Sequence, residues 1–399
     1  MLNKNNFYLS SKKFYKNLEK TKTIFNFLKQ DLINSAIPLL QCYEKNYIFD
    51  FTPTTIKKFS KFKNIVIVGM GGSILGTKSI YSFFKKKVKK KVFFFDNLDI
   101  NLNLQFNKIK NLKNSCFIIV SKSGNTFETI TNLSIVFSKS LLKNKLIIIT
   151  EIKDNCLMNI ANKFNAEIIE HKDFIGGRYS VMSEVGMFPA ALMGLDITKF
   201  KNLRNLIFDK HFVSSLNHSV ASIYTLNTQG IKNSVILNYD SRLNDLCLWY
   251  QQLTGESLGK KGKGVTPIIS TGPKDHHSVL QLYLDGPKDK FFTFFSSLEK
   301  ADRHKVSGTI IPNSMRFLKN KKIKAIINAQ CEATKNIFKL KKIVFRHFIF
   351  NKDDESELGL VFTFFVLETI LLARLMKVNP FDQPAVEQIK AETKKILLR

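Results

Sequence analysis

Short β-branched runs alternate with longer segments of helical period along most of the chain. Asn64–Val68 is one such run; it meets Gly69-Met70-Gly71-Gly72-Ser73 and gives way to a helical pattern over Leu75–Phe84. Val92–Phe95 predicts a second strand. Ser115–Val120 predicts a third, ending at Ser121-Lys122-Ser123-Gly124-Asn125-Thr126 and opening a helix that runs through Ser140. Leu146–Ile149 and Glu167–Glu170 predict a fourth and a fifth. The pattern then repeats, with strands at Ser234–Tyr239, Val265–Ser270, Phe291–Phe295 and Ile343–Phe350. Helical patterns cover Asp240–Gln252, Ser278–Leu284, Ser314–Phe338 and Glu355–Lys377, and after Pro380 a last helix covers Pro384–Leu398. Residues before Ser60 are polar, with helical tendency. Strands that alternate with helices of this length form parallel sheets covered on both faces. The expected fold class is therefore α/β, with two doubly wound parallel-sheet domains at 1–205 and 206–378. A C-terminal helix at 379–399 is expected to pack back across them.

Composition narrows the function classes. A chain of 399 residues is long enough for roughly two to three domains. The formal net charge is +30, from 62 Lys+Arg against 32 Asp+Glu, a balance that can signal nucleic acid or an anionic membrane. The lysines, however, are spread along the whole chain. The densest run, Lys85–Lys91, has no interleaved aromatic residues and matches no nucleic-acid motif. A solvated basic surface is expected, with no nucleic-acid or membrane partner. The longest apolar stretch, Leu358–Leu367, is about ten residues and too short to span a bilayer, so it reads as a buried helix. No apolar leader region opens the chain. Five cysteines without a C-x-x-C pair are expected to be reduced, in a cytoplasmic protein with no metal site.

Ligands of open α/β sheets bind beyond the carboxyl ends of the strands, and two loops here have that position. Gly69–Ser73 lets backbone N–H groups approach a ligand. It departs from G-x-G-x-x-G, whose last glycine would fall at Ile74, although Asp96 could imitate a ribose-binding acid and keeps a dinucleotide site open. In the second loop Ser121, Ser123, Thr126 and Thr129 set four hydroxyls, with Lys122, at a helix start. That arrangement suits a phosphate, whereas an ordinary helix cap needs one hydroxyl. Further on, Glu256 follows an apolar helical run between Gly255 and Gly259, and His276 and His277 lie on a later turn. A partly desolvated carboxylate and a nearby His form an acid–base pair. Arg178, beside Gly176-Gly177, could steady an oxyanion or make a surface ion pair. Gln383 and Lys390 are seven apart on the last helix and share a face.

Taken together these segments resemble the glucose-6-phosphate isomerase (phosphoglucose isomerase) family in its bacterial form. The likeness is carried by V-G-M-G-G-S (Val68–Ser73), S-K-S-G-N-T-F-E-T (Ser121–Thr129), G-G-R-Y-S (Gly176–Ser180) and Q-Q-L-T-G-E-S-L-G-K (Gln251–Lys260). It continues with G-P-K-D-H-H-S (Gly272–Ser278), Q-L-Y-L-D-G-P (Gln281–Pro287) and N-P-F-D-Q-P-A-V-E-Q-I-K (Asn379–Lys390), all in the family's order.

The resemblance implies two flavodoxin-like sugar-isomerase (SIS) domains. It also implies interconversion of glucose 6-phosphate and fructose 6-phosphate, in glycolysis and gluconeogenesis, without cofactor or metal. By the same resemblance Gly72, Ser73, Ser121, Lys122, Ser123, Thr126 and Thr129 bind the phosphate end, and Gln252 and Gln383 the sugar. Glu256 moves the proton between carbons 1 and 2, Arg178 steadies the enediolate, and His277 and Lys390 open the ring. The implied assembly is a homodimer with His277 contributed across the interface. The family usually carries Gln where this chain has His276, and the D-H-H-S frame gives the ring-opening role to His277. Two other readings stay open: a non-catalytic SIS module that binds a sugar phosphate, and an isomerase that also accepts mannose 6-phosphate.

Overall fold

The computed structural model describes residues 9–139, 145–298 and 304–399. Every expected strand is present, to within two residues at each end. The first sheet is built from β1 (Asn64–Gly69), β2 (Lys91–Phe95), β3 (Ser115–Val120), β4 (Leu146–Thr150) and β5 (Glu167–Glu170), in the order β2-β1-β3-β4-β5. The second is built from β6 (Asn233–Asn238), β7 (Thr266–Thr271), β8 (Lys290–Ser297) and β9 (Phe345–Phe350), in the order β7-β6-β8-β9. All pairings are parallel. Ile65–Val68, Cys116–Val120 and Ile147–Ile149 are buried throughout, as strands covered on both faces must be. The register sets Gly69 opposite Val120 and Val68 opposite Phe95. The Gly69 and Ser121 loops therefore leave the same edge of the sheet side by side.

The two halves are joined by helices. Lys12–Ile33, started by Ser11, whose hydroxyl accepts the Phe14 N–H, buries Phe14, Asn17, Thr21, Phe25, Leu28 and Leu32 along one face. It packs on the Lys210–Thr228 helix of the second half, where Asn17 Nδ2 donates to Thr225 Oγ1 at 2.9 Å. The Glu355–Met376 helix is long and apolar enough to cross a membrane by composition, but 89% of its most apolar window is buried inside the fold. It is a core helix. Its Glu368 forms a fully buried ion pair with Arg346 of β9, and Ser219 and Thr293 complete that network.

One helix differs from expectation. The pattern over Ser314–Phe338 splits into a short turn of 3-10 helix, Asn313–Leu318, and a helix over Ile323–Leu340. Between them Asn320 takes a left-handed conformation (φ 62°), and Lys305 bridges Lys322 antiparallel, which breaks the helical ladder. The helices Cys156–Phe164, Glu184–Leu192 and Lys210–Thr228 add to those expected. The helix after Thr126 is described to Lys139; Ser140 and residues 1–8 lie outside the described residues.

Candidate active site

The glycine turn after β1 is shaped by close backbone approach. Gly71 has φ +52°, a left-handed conformation that side chains disfavour. A Cβ on Gly72 would lie 2.1 Å from the carbonyl carbon of Gly177. The Gly69–Ser73 turn thus rests directly on the Gly176–Ser180 turn, and Ser180 Oγ donates to the Gly72 carbonyl at 3.3 Å. This contact fixes the starting point of Arg178. Asp96, the residue that kept a dinucleotide site open, is engaged elsewhere: Lys78 pairs with it at 2.6 Å and faces Asp245 at 3.7 Å. The carboxylate expected to meet a ribose is thereby taken up by an ion pair.

At the end of β3 the hydroxyls of Ser121 and Thr126 lie 2.8 Å apart, and Ser123 Oγ accepts the Asn125 N–H at 3.3 Å. Thr129 Oγ1 is buried and has no hydrogen-bond partner among the described residues. Lys122 donates its ammonium to the Asp173 carbonyl, with the Glu151 carboxylate at 3.8 Å. Burial holds its pKa below the ordinary lysine range. The loop is a set of hydroxyls and N–H groups gathered at the start of the Phe127–Lys139 helix, a ready anion seat.

Glu256 lies in the last turn of the Asn244–Leu258 helix. Its Oε1 accepts from Gln252 Nε2 at 2.9 Å, one turn earlier, and its Oε2 accepts from Arg178 Nη1 at 3.0 Å. Arg178 is buried, at 2% exposure. The same Nη1 donates to Gln383 Oε1 at 2.8 Å, Nε to Ser257 Oγ at 2.8 Å, and Nη2 to the carbonyls of Pro380 and Asp382. Gln252 Oε1 is buried without a partner among the described residues. A carboxylate gripped between an arginine and a glutamine can take and return a proton while the arginine steadies charge beside it.

The structure thus gathers Arg178, Gln252, Glu256 and Gln383 into one hydrogen-bonded cluster. The glycine turn links it to the hydroxyl loop: a Cβ on Gly71 would lie 2.8 Å from Gln252 Nε2. His277 and Lys390 stand outside the cluster. His277 is exposed and its ring makes no hydrogen bond among the described residues, while Lys390 is exposed and pairs with Glu387 at 2.7 Å. His276 turns inward. Its Nε2 lies 2.6 Å from the Tyr239 hydroxyl, and burial, with His277 beside it, lowers its pKa.

Three supports were missed in the sequence. Ser257 holds both Arg178 and the Tyr179 hydroxyl; its place directly after Glu256 was the available signal. Lys260 pairs with Asp382 at 2.8 Å and also donates to the Asn379 carbonyl. The Tyr179 hydroxyl donates to the Pro380 carbonyl at 3.0 Å. The last two pin the C-terminal segment over Arg178 through backbone carbonyls, which no side-chain pattern advertises.

The family profile described as Phosphoglucose isomerase matches residues 51–286, more than half of the chain. The glucose-6-phosphate isomerase of Methanocaldococcus jannaschii is 32% identical over 361 residues, covering 87% of each chain. That of Campylobacter jejuni is 31% identical over 349 residues, covering 84% of this chain and 85% of its own. Among solved structures, a hypothetical protein from Thermus thermophilus shares the fold, with a TM-score of 0.83 at 23% identity over 96% of this chain and 97% of that one. A glucose-6-phosphate isomerase from Chlamydia trachomatis has a TM-score of 0.72 at 18% identity, over 85% of this chain and 70% of that one. With two parallel sheets, a hydroxyl loop and a carboxylate held by an arginine already in place, the profile and the relatives decide the assignment: this chain belongs to the phosphoglucose isomerase family.

Proposed function

We propose that this member of the family carries out the interconversion of glucose 6-phosphate and fructose 6-phosphate with Glu256 as its proton carrier. The observation that carries the reading is the grip on Glu256, at 3.0 Å from Arg178 and 2.9 Å from Gln252. The phosphate binds the hydroxyls of Ser73, Ser121, Ser123, Thr126 and Thr129 and the N–H groups of that loop, Gly72 included. Lys122 adds its charge from the Glu151 side. Thr129 Oγ1 and Gln252 Oε1, buried without partners among the described residues, are the atoms most in need of a ligand.

The proton on carbon 2 is weakly acidic until carbon 1 is a free aldehyde, so the ring opens first, with His277 and Lys390 at the ring oxygen and the anomeric hydroxyl. Glu256 then takes the carbon 2 proton, giving an enediolate whose oxygen Arg178 steadies, and returns a proton to carbon 1, while the oxygen on carbon 2 gives up its proton and the oxygen on carbon 1 gains one. Gln252 and Gln383 hold the sugar hydroxyls. No step in this sequence calls for a cofactor. A carboxylate in this role contributes on the order of 10²–10⁴-fold.

His277 comes from the second copy of a homodimer. Its exposure and the lack of a hydrogen bond to its ring among the described residues support that placement. The same reading divides the chain near residue 205 into two SIS units and places the enzyme in the cytoplasm, in glycolysis and gluconeogenesis. The test is turnover by purified protein of glucose 6-phosphate, fructose 6-phosphate and mannose 6-phosphate in coupled assays. Conversion of the first two in both directions is expected. Binding without turnover would leave a non-catalytic sugar-phosphate module.

A further inference from the structure

A second cleft, of about 820 Å³, is lined in part by the segment that leads into the Arg178 turn, and its volume is within the common size range of small-molecule sites. Its walls are the segment Gln41–Ile48, the strap Lys172–Phe174 and the turn Asn202–Asn205. Three cations line it, Lys45, Lys172 and Arg204, with one carboxylate, Glu44; of the three, Lys172 is already paired with Glu170 just outside the lining. Glu44 is partly satisfied already, because it accepts the Arg204 N–H at 3.1 Å. The side chains of Lys45 and Arg204 make no ion pair among the described residues.

A fourth cation stands behind the wall. Lys201 is 2% exposed, and its ammonium has no hydrogen-bond partner among the described residues. It lies 4.4 Å from the ring centre of Tyr47, a lining residue, and 3.6 Å from that of Phe49. Burial lowers its pKa to about 8, so it remains charged at neutral pH. An unpaired buried ammonium is costly, and ring faces offset only part of that cost. Glu184, which accepts the Tyr47 hydroxyl, is the protein's own charge acting on Lys201, and an anion in the cleft would add a second countercharge through a low-dielectric wall.

The cleft is also wired to the active site. Lys172 and Phe174 line it, and the carbonyl of Asp173 between them holds the ammonium of Lys122. The strap runs on into Gly176-Gly177-Arg178. Tyr47 donates its hydroxyl to both oxygens of Glu184, at 3.0 and 3.1 Å, just beyond the Arg178 turn. Tyr43, from the same segment, donates to the Tyr179 carbonyl at 3.0 Å.

We propose that this cleft is a regulatory site for a small polyanion, a molecule bearing two or more phosphate or carboxylate groups. Its occupation sets the position of the 172–178 strap, and through it Lys122 and Arg178. The regulatory half of this inference rests on the active-site reading above, whereas the binding half does not.

The test uses the full chain with its active site filled by saturating, equilibrated hexose 6-phosphates. Pyrophosphate and citrate are titrated separately by calorimetry. At least one is expected to bind saturably despite the filled active site; whichever binds tells whether phosphate or carboxylate is the preferred group. Lys45→Glu with Arg204→Glu, both exposed and outside the catalytic cluster, should weaken that binding tenfold or more while leaving kcat without the probe unchanged. Lys201→Met replaces the buried charge with an apolar chain of similar length and should weaken binding severalfold, with folding of the variant checked by its retained kcat. In the wild type the bound probe should change kcat, which a competitor at the active site cannot do. Loss of all probe binding once hexose phosphate is present overturns the proposal. So does binding that survives both variants, or binding that leaves kcat and KM untouched.

Discussion

Arg178→Lys keeps a positive charge in place and removes only the fork that organises the site. The native guanidinium serves Ser257, Glu256 and Gln383 at 2.8, 3.0 and 2.8 Å, together with the carbonyls of Pro380 and Asp382. A lysine carries its three donors on a single atom. It cannot reach acceptors that lie on different edges of a planar guanidinium, so at least two of the five lose their bond to residue 178. The Ser257 hydroxyl and the Pro380 carbonyl keep the Tyr179 hydroxyl as a partner, Glu256 keeps Gln252, and Asp382 and Gln383 are exposed to water, so the loss is that of two ordinary hydrogen bonds, about 1–3 kcal/mol of local stability in the 379–383 segment. That corresponds to opening of this segment about fivefold or more above the wild type. Loss of an aligned donor to the enediolate should lower kcat by about 10²–10³-fold. Hydrogen exchange over residues 379–398 and steady-state turnover of fructose 6-phosphate read the two effects separately. A variant whose kcat stays within about threefold of wild type, with exchange of the C-terminal segment unchanged, would refute both roles given to Arg178.

Mixing Glu256→Gln with His277→Ala chains by co-expression should restore activity to at most about a quarter of wild type, because each mixed dimer has one intact site; no recovery places both residues in one chain. His171 is buried, and burial pushes its pKa down from the ordinary 6.5 to about 4. The fold therefore favours its neutral form. Stability from this group is complete above pH 6.5 and is lost as pH falls towards 4, by about 2 kcal/mol at pH 5. Urea unfolding at pH 7 and pH 5 should show a smaller acid loss in His171→Gln than in the wild type; equal losses would remove the histidine from the account. Glu368→Ala leaves Arg346 buried without its carboxylate and should cost about 3–5 kcal/mol. A change in urea unfolding free energy below about 1 kcal/mol would show that the pair is not needed for stability.

Much of the fold could be read from strands such as Ile65–Val68 and Ile147–Ile149, because a strand buried on both faces must be a short continuous apolar run. The Lys210–Thr228 helix could not. Its buried face carries Asn217, Ser219, Ser222 and Thr225, polar residues that weaken the helical period. Ser219 meets Glu368 and Thr225 meets Asn17 across the core, partners far away in sequence. The boundary at Ile323 was hidden for a similar reason, since a lone bridge between Lys305 and Lys322 decides it. In the site, Arg178 and Glu256 could be singled out by residue type and loop position. Their direct contact could not, because it joins residues from different halves of the chain. Residue type leaves Arg178 either an oxyanion partner or a surface ion-pair partner; in the structure it is buried and makes its ion pair with Glu256 itself.

In the proposed reaction Glu256 carries the proton between the two carbons. Its most direct test is isomerisation in deuterium oxide, with deuterium at carbon 1 of the fructose 6-phosphate product followed by proton NMR, for the wild type and for Glu256→Gln. The wild type is expected to convert glucose 6-phosphate and to introduce solvent deuterium at carbon 1. Glu256→Gln should do neither above roughly a hundredth of the wild-type rate, while still binding the sugar phosphate. Conversion and deuterium incorporation by Glu256→Gln at near-wild-type rates would rule out Glu256 as the proton carrier.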